Sequence, residues 1–378
     1  MIEKLRFEQP VYVTRPALPK FDAFAEKLRA VWDCKWLTNH GPQHAELEYA
    51  LAEYLKAPHL SLFNNGTIAL LVACQSLKLS GEVITTPFTF PATTHVLAWN
   101  NISPVFCDIN PVTMNIDVNK IESAITSRTT GILAVHVYGT PCDMAAIQTL
   151  ADRHGLRVIY DAAHAFGVEV DGAGIGSFGD VSMFSFHATK LFHTAEGGAL
   201  TYGDANLKER IYLLRNFGIR NEEEVLEPGI NGKMNELQAA LGLTMLECVQ
   251  AEWERRKEID CIYRGQLGQT PGITLLPEPH NVRPSYQYFV IRIDRERFGR
   301  SRDEVHAEFK AYNVFTRKYF FPLCSDFPCY SQLSSASPLN LTVAHKSAGQ
   351  VLCLPFYGEL SDDDAGKICA ILLNMRTQ

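Results

Sequence analysis

The sequence predicts an α/β protein: a large, mostly parallel sheet wrapped by helices, followed by a small C-terminal α+β domain. Two observations carry this. From residue 60 onward, short strand-like runs alternate with stretches whose apolar residues recur every three or four positions, the pattern of strands joined by helices. The strand-like runs are apolar on both faces, as parallel strands covered on each side by crossover helices must be.

In chain order, residues 1–40 read as an arm that lies on the main body. It has an extended Pro10-Val11-Tyr12-Val13, a helix over 21–31, and a turn-rich Trp36-Leu37-Thr38-Asn39-His40-Gly41-Pro42. The large domain is expected over 41–254, with strands at 60–63, 83–85, 105–108, 132–137, 158–161, 181–186 and 199–202. Helices are expected at 67–79, 91–99, 120–125 and 144–154. In the last of these, Asp143 can cap the start, Met144, Ile147, Leu150 and Ala151 share a face, and Gly155 ends the run. A further helix follows Asp204, and a long one begins near Asn235 with Leu237, Leu241, Met245 and Cys248 on one face. The small domain, 255–378, reads as strand 288–293, helix 302–312, strand 315–320 and helix 361–374.

Composition narrows the function classes. With 46% hydrophobic and 20% charged residues, the 378-residue chain can bury a sizeable core. A net charge of -7 without any dense Lys/Arg block argues against a nucleic-acid surface, which needs clustered basic side chains. Ten cysteines without a CxxC or an even spacing fit reduced thiols. No run is apolar enough to cross a membrane, and the first residues lack the apolar core of a signal peptide. A cytoplasmic protein with neither membrane nor nucleic-acid partner is expected.

Four separated features would make sense around one ligand that carries a phosphate, an aldehyde and an aromatic ring nitrogen. Asn64-Asn65-Gly66-Thr67 stands where a strand gives way to a helix; the free N–H groups of a helix start, the bare Gly66 and the Thr67 hydroxyl suit a phosphate. An ordinary capped turn would use the same residues. Asp161 ends a strand, where open α/β sheets bind ligands, and a carboxylate buried there needs a cation such as a protonated pyridine nitrogen. A structural ion pair would also serve. Lys190 follows the strand-like Val181-Ser182-Met183-Phe184-Ser185-Phe186; buried lysines become nucleophilic amines suited to Schiff-base chemistry, and Ser185 can donate to a phosphate. Thr86-Pro87-Phe88-Thr89-Phe90 follows another strand and offers an aromatic ring for stacking or for the core.

Two other patterns are set aside. Gly174-Ile175-Gly176-Ser177-Phe178-Gly179 matches GxGxxG, but it leads from a hairpin into a strand instead of a helix, so dinucleotide binding is not expected. His164, His187 and His193 lack a carboxylate or thiolate at ligand spacing, so no metal site is expected.

Asp161-Ala162-Ala163-His164-Ala165, Gly176-x-Phe178-Gly179-Asp180, Phe184-Ser185-Phe186-His187-x-x-Lys190 and Glu196-Gly197-Gly198 together resemble the signature of the DegT/DnrJ family of sugar aminotransferases. The resemblance runs from about Thr38 to the C-terminus. It implies pyridoxal phosphate as cofactor, the aspartate-aminotransferase-like architecture called fold type I, and a homodimer with active sites at the subunit interface. It further implies that Lys190 carries the cofactor covalently, Asp161 pairs with the pyridine nitrogen and His164 lies near the phenolic oxygen. By the same resemblance Gly66, Thr67 and Ser185 hold the phosphate, Phe90 stacks on the ring, and Asn231 reaches the phosphate from the partner subunit. Lys233 departs from the family, which usually has arginine there. The wording around Trp36-Leu37-Thr38-Asn39, Leu62-Phe63-Asn64-Asn65-Gly66-Thr67 and 184–198 is most similar to the branch that uses L-glutamate to make dTDP-4-amino-4,6-dideoxyglucose from the dTDP-4-keto sugar. The motifs leave open amination at carbon 3 of a dTDP-3-keto-6-deoxyhexose, and a non-catalytic regulator on the same fold is the reading from another class. For the nucleotide sugar, Arg220, Lys318 and Tyr319 are the candidates.

Overall fold

All seven strands expected between residues 60 and 202 form, and they lie in one sheet. In chain order they are β1 (His59–Phe63), β2 (Glu82–Thr85), β3 (Ser103–Phe106), β4 (Thr129–Val135), β5 (Arg157–Asp161), β6 (Val181–Ser185) and β7 (Gly198–Tyr202). The computed structural model describes residues 5–377. Across the sheet the order is β1-β7-β6-β5-β4-β2-β3. The pairs from β6 to β3 are parallel, and β7 runs antiparallel to both β1 and β6. Six strands therefore point the same way.

Successive residues of the inner strands bury against different cores. Ile84, Ile132 and Val158 belong to one apolar cluster, while Val83, Leu133 and Ile159 belong to another on the opposite face. This is why the strands read as continuous apolar runs instead of alternating ones.

The arm supplies α1 (Phe21–Cys34), and the large domain opens with α2 (Pro42–Tyr54), α3 (Gly66–Ser76) and α4 (Pro91–Trp99). A longer helix, α5 (Glu236–Leu267), has a capping box in which Asn235 and Gln238 satisfy each other's backbone. It corrects the expected stripe. Leu237 is 40% exposed, and the buried positions include Ala239, Ala240, Leu243, Met245 and Val249, because α5 packs against α1, α2 and the C-terminal helix Asp362–Asn374. Val249 sits in the core beneath the large sheet, whereas Ile259, Tyr263 and Leu267 join a second core.

That second core lies under a three-stranded antiparallel sheet of β8 (Ile273–Leu275), β9 (Phe289–Ile293) and β10 (Val351–Leu354). The strand expected over 315–320 is corrected to Val314–Phe315, which pairs in parallel with Val11–Tyr12 of the arm. Beyond it Arg317 exchanges backbone bonds with Cys353 of β10 at 3.1 and 2.8 Å, a single antiparallel bridge on the edge of the three-stranded sheet, so the pairing with the arm ends at Phe315. No helix among the described residues is long and apolar enough to cross a membrane.

Candidate active site

Because β1, β2, β5 and β6 point the same way, the segments that come after them emerge on one edge of the sheet, and β7 begins on that edge. Together with Tyr288, Arg317, Tyr319 and Phe320 these segments line a cavity of about 800 Å³. Of the residues picked out from sequence, Gly66, Thr67, Phe90, Asp161, His164, Ser185, Lys190 and Tyr319 all line it.

The start of α3 forms one wall. The Asn65 side chain accepts the Ile68 N–H at 2.8 Å, which leaves the N–H groups of Gly66 and Thr67 outside the helical ladder. Gly66 is tightly seated, since a Cβ there would stand 3.0 Å from Met183 Sδ and 3.1 Å from Ser185 Cβ. Gly198 explains the Glu196-Gly197-Gly198 motif: a Cβ on it would meet Gly66 N at 2.7 Å and Gly66 Cα at 2.8 Å, backbone that cannot step aside cheaply. Gly198→Ala is expected to cost about 1–3 kcal/mol by overpacking, read as a lower melting temperature, and to displace the Gly66 backbone at the start of α3.

Asp161 ends β5 with only 5% of its surface exposed. Oδ1 accepts the Ala163 N–H at 3.0 Å, and Oδ2 accepts the Thr93 hydroxyl at 2.8 Å. With its proton so committed, Thr93 receives the second hydroxyl contact, from Thr89 at 2.8 Å. Burial pushes the Asp161 pKa up, against the pull of Thr93, the Ala163 N–H and Lys190. Among the described residues the carboxylate has these two hydrogen bonds and no ion pair within salt-bridge distance.

Lys190 is held from behind. Its N–H donates to His187 O at 2.9 Å, and buried Gln287 takes both flanks: Leu191 N–H donates to Gln287 Oε1, and Gln287 Nε2 donates to Thr189 O, each at 2.9 Å. Phe186 and Phe192 meet edge to face at 4.8 Å and brace the loop. Burial brings the Lys190 amine down to about 8, opposed by Asp161. Nζ lies 5.9 Å from the centroid of the Tyr288 ring.

His164 stacks parallel to Phe320 at 5.7 Å and meets the edge of Tyr288 at 5.0 Å. Its Nδ1 is buried without a partner among the described residues. Burial, and secondarily Lys190, hold it neutral, well below the usual histidine range. Phe90, 54% exposed at the cap of α4, forms the rim.

Three of the candidates fall outside the lining. Arg220 pairs with Glu209 at 2.6 Å and with Glu224 at 3.9 Å. Lys318 turns to Asp303 at 3.0 Å. Asn231 is exposed, on a strand-like bridge with Asn216. Sequence reasoning missed Thr93, Gln287, Tyr288 and Arg317. Alternation could have found the last: residues two apart share a side of an extended chain, so Arg317 accompanies Tyr319 into the cavity while Lys318 faces out. The set-aside glycine motif lies in the hairpin Glu169–Val170/Ala173–Gly174 and the turn Ile175–Ser177 that leads into β6, with no helix start.

The profile of the DegT/DnrJ/EryC1/StrS aminotransferase family matches residues 21–373. The chain belongs to this family. The aminotransferase is 47% identical over 369 residues to dTDP-4-amino-4,6-dideoxy-D-glucose transaminase of Escherichia coli, covering 97% of this chain and 99% of that one. The Shigella dysenteriae protein of the same name is 45% identical, over 94% of this chain and 96% of its own. Among solved structures, DesI, determined in the presence of its TDP-sugar product, matches with a TM-score of 0.93 and 37% identity, over 98% of this chain and 93% of that one. Helicobacter pylori PseC, an aminotransferase of pseudoaminic acid biosynthesis, matches at 0.90 with 28% identity, over 97% and 99%. The fold implied by the resemblance is thus the fold of this aminotransferase.

Proposed function

We propose that the protein is a pyridoxal-phosphate-dependent transaminase that passes the amino group of L-glutamate to dTDP-4-keto-6-deoxy-D-glucose, giving dTDP-4-amino-4,6-dideoxy-D-glucose and 2-oxoglutarate. The observation that carries this is the convergence of Lys190, Asp161 and the first turn of α3 on one cavity. The choice of sugar follows the near-full-length likeness to the Escherichia coli transaminase.

The residues fit the cofactor. The free N–H groups of Gly66 and Thr67, with the Thr67 and Ser185 hydroxyls, suit its phosphate. Asp161, buried without a full ion pair, suits a protonated ring nitrogen. His164, which lines the cavity with a buried and unpartnered Nδ1, would suit a polar ring substituent, and Phe90 the face of the ring. Asn231 would complete the phosphate site from a second subunit. The surface around it supports a homodimer, since Leu37, Phe217 and Leu237 are large, apolar and exposed there, with Glu236 N–H bonded to Leu37 O and Lys233 Nζ 4.9 Å from the Phe217 ring.

When bound, pyridoxal phosphate supplies the electron sink that stabilises negative charge at the donor's α-carbon. Lys190 would hold it, and its free amine would carry the α-proton. A pKa of about 8 leaves a useful fraction of neutral amine near neutral pH. Asp161 would keep the ring nitrogen charged. Neutral His164 adds no competing cation.

The test is turnover of the purified protein with L-glutamate and the dTDP-4-keto sugar, with the product's amino position read by NMR. Amination at carbon 4 is expected. No 2-oxoglutarate, or an amine at carbon 3 when the dTDP-3-keto sugar is supplied and none with the 4-keto sugar, would refute it.

A further inference from the structure

The cavity contains a cation that the chemistry above leaves without a task. Arg317 lines it, with its guanidinium carbon 5.0 Å from the Tyr319 ring centroid and no ion pair or side-chain hydrogen bond among the described residues. Its basic neighbours are already engaged: Lys318 pairs with Asp303, and Arg302 binds Asp303 and the carbonyl of Val351 at 3.0 Å. The Arg317 backbone is fixed in both directions on Cys353 of β10, so the guanidinium is presented from backbone tied to the edge of the small sheet. An unpaired arginine resting on an aromatic ring at a cavity wall is suited to a bidentate oxyanion.

We propose that Arg317 anchors the diphosphate of the nucleotide-sugar substrate, an inference that rests on the function proposed above. Both substrates are anionic, and position decides between them. The rings of Tyr288 and Tyr319, with centroids 5.2 Å apart, link Lys190 to Arg317 along the wall. The donor's α-carboxylate is bonded to the carbon whose proton Lys190 moves, so it must lie beside Nζ. The diphosphate is separated from the reacting sugar carbon by the width of a hexose. A pyranose laid on the two tyrosines would put its keto carbon toward Lys190 and its diphosphate toward Arg317. Arg317 thereby helps to set which sugar carbon reaches the amine.

The test uses holoenzyme and dTDP, which carries the diphosphate but no sugar. Calorimetry should show roughly tenfold or greater loss of dTDP affinity in Arg317→Gln, partial recovery in Arg317→Lys, and a flatter salt dependence in the glutamine variant than in wild type. The cofactor absorbance of each variant reports folding of the site. The half-reaction with L-glutamate, followed at the cofactor absorbance, should change by a clearly smaller factor than dTDP affinity. Equal dTDP affinity in wild type and Arg317→Gln, or a loss falling mainly on the glutamate half-reaction, overturns the proposal. A wild-type protein inert toward L-glutamate would refute the proposed function instead, while the dTDP comparison would still decide the role of Arg317.

Discussion

Lys190→Ala is expected to lose turnover by roughly 10⁴-fold or more, at or beyond the upper end of what one positioned proton-transfer group contributes, because the same Nζ would both anchor the cofactor and move the proton. The absorbance of the lysine-bound cofactor should vanish with it. The fold should survive, since Gln287 holds the loop through the backbone of Thr189 and Leu191 and not through the Lys190 side chain. A second readout concerns the cofactor-free protein. Burial lowers the Lys190 pKa from 10.5 to about 8, so between those values the unfolded chain binds a proton that the folded chain does not. Stability gains a term that rises with pH across that window. This rise should be missing from the melting temperatures of Lys190→Ala. A variant that retained both absorbance and turnover would place the attachment at another residue.

How much of the fold and the site could be read from the sequence depends on where each signal resides. The strands were legible because interior parallel strands are apolar on both faces, and the parallel sheet then brings Gly66, Phe90, Asp161 and Ser185 to one edge. Lys190 was legible because a lone lysine comes after a buried strand. The helix Pro42–Tyr54 gave little signal. Its apolar burial is confined to Leu47 and Leu51, and it starts by donating the N–H groups of Gln43 and His44 to Glu236 at 2.7 and 3.1 Å, a partner nearly two hundred residues away. The stripe assigned to α5 holds at Met245 and in part at Leu241 but misses at Leu237, for a related reason: a helix packed on several sides also buries alanines and a glycine where other helices approach, and Leu237 is left outside. Lys318 was named and its basic neighbour Arg317 was not; the side shared with Tyr319 in the cavity, which alternation could have given, shows that Arg317 is the one that turns inward. The role proposed for Asn231 would depend on a second chain, to which a single sequence gives no direct access.

Asp161→Asn should fold normally and lose about 3–4 kcal/mol of transition-state stabilisation, the scale found when one preorganised electrostatic group is removed. Asparagine has the same shape, and its amide oxygen can still accept the Ala163 N–H, while the Thr93 hydroxyl can turn to accept from the amide nitrogen. What disappears is the negative charge that would keep a ring nitrogen protonated. The sign of the stability change separates this from a structural role. Burial raises the Asp161 pKa above 3.8, so in the cofactor-free protein the group favours folding when protonated at low pH, and that contribution is lost as pH rises through the folded value. At neutral pH the cofactor-free asparagine variant should therefore melt at or above the wild-type temperature, while the stabilisation gained on adding pyridoxal phosphate should shrink. Unchanged activity would mean that another group holds the ring-nitrogen proton. A large drop in the melting temperature of the cofactor-free variant would mean that Asp161 serves the sheet edge more than the chemistry.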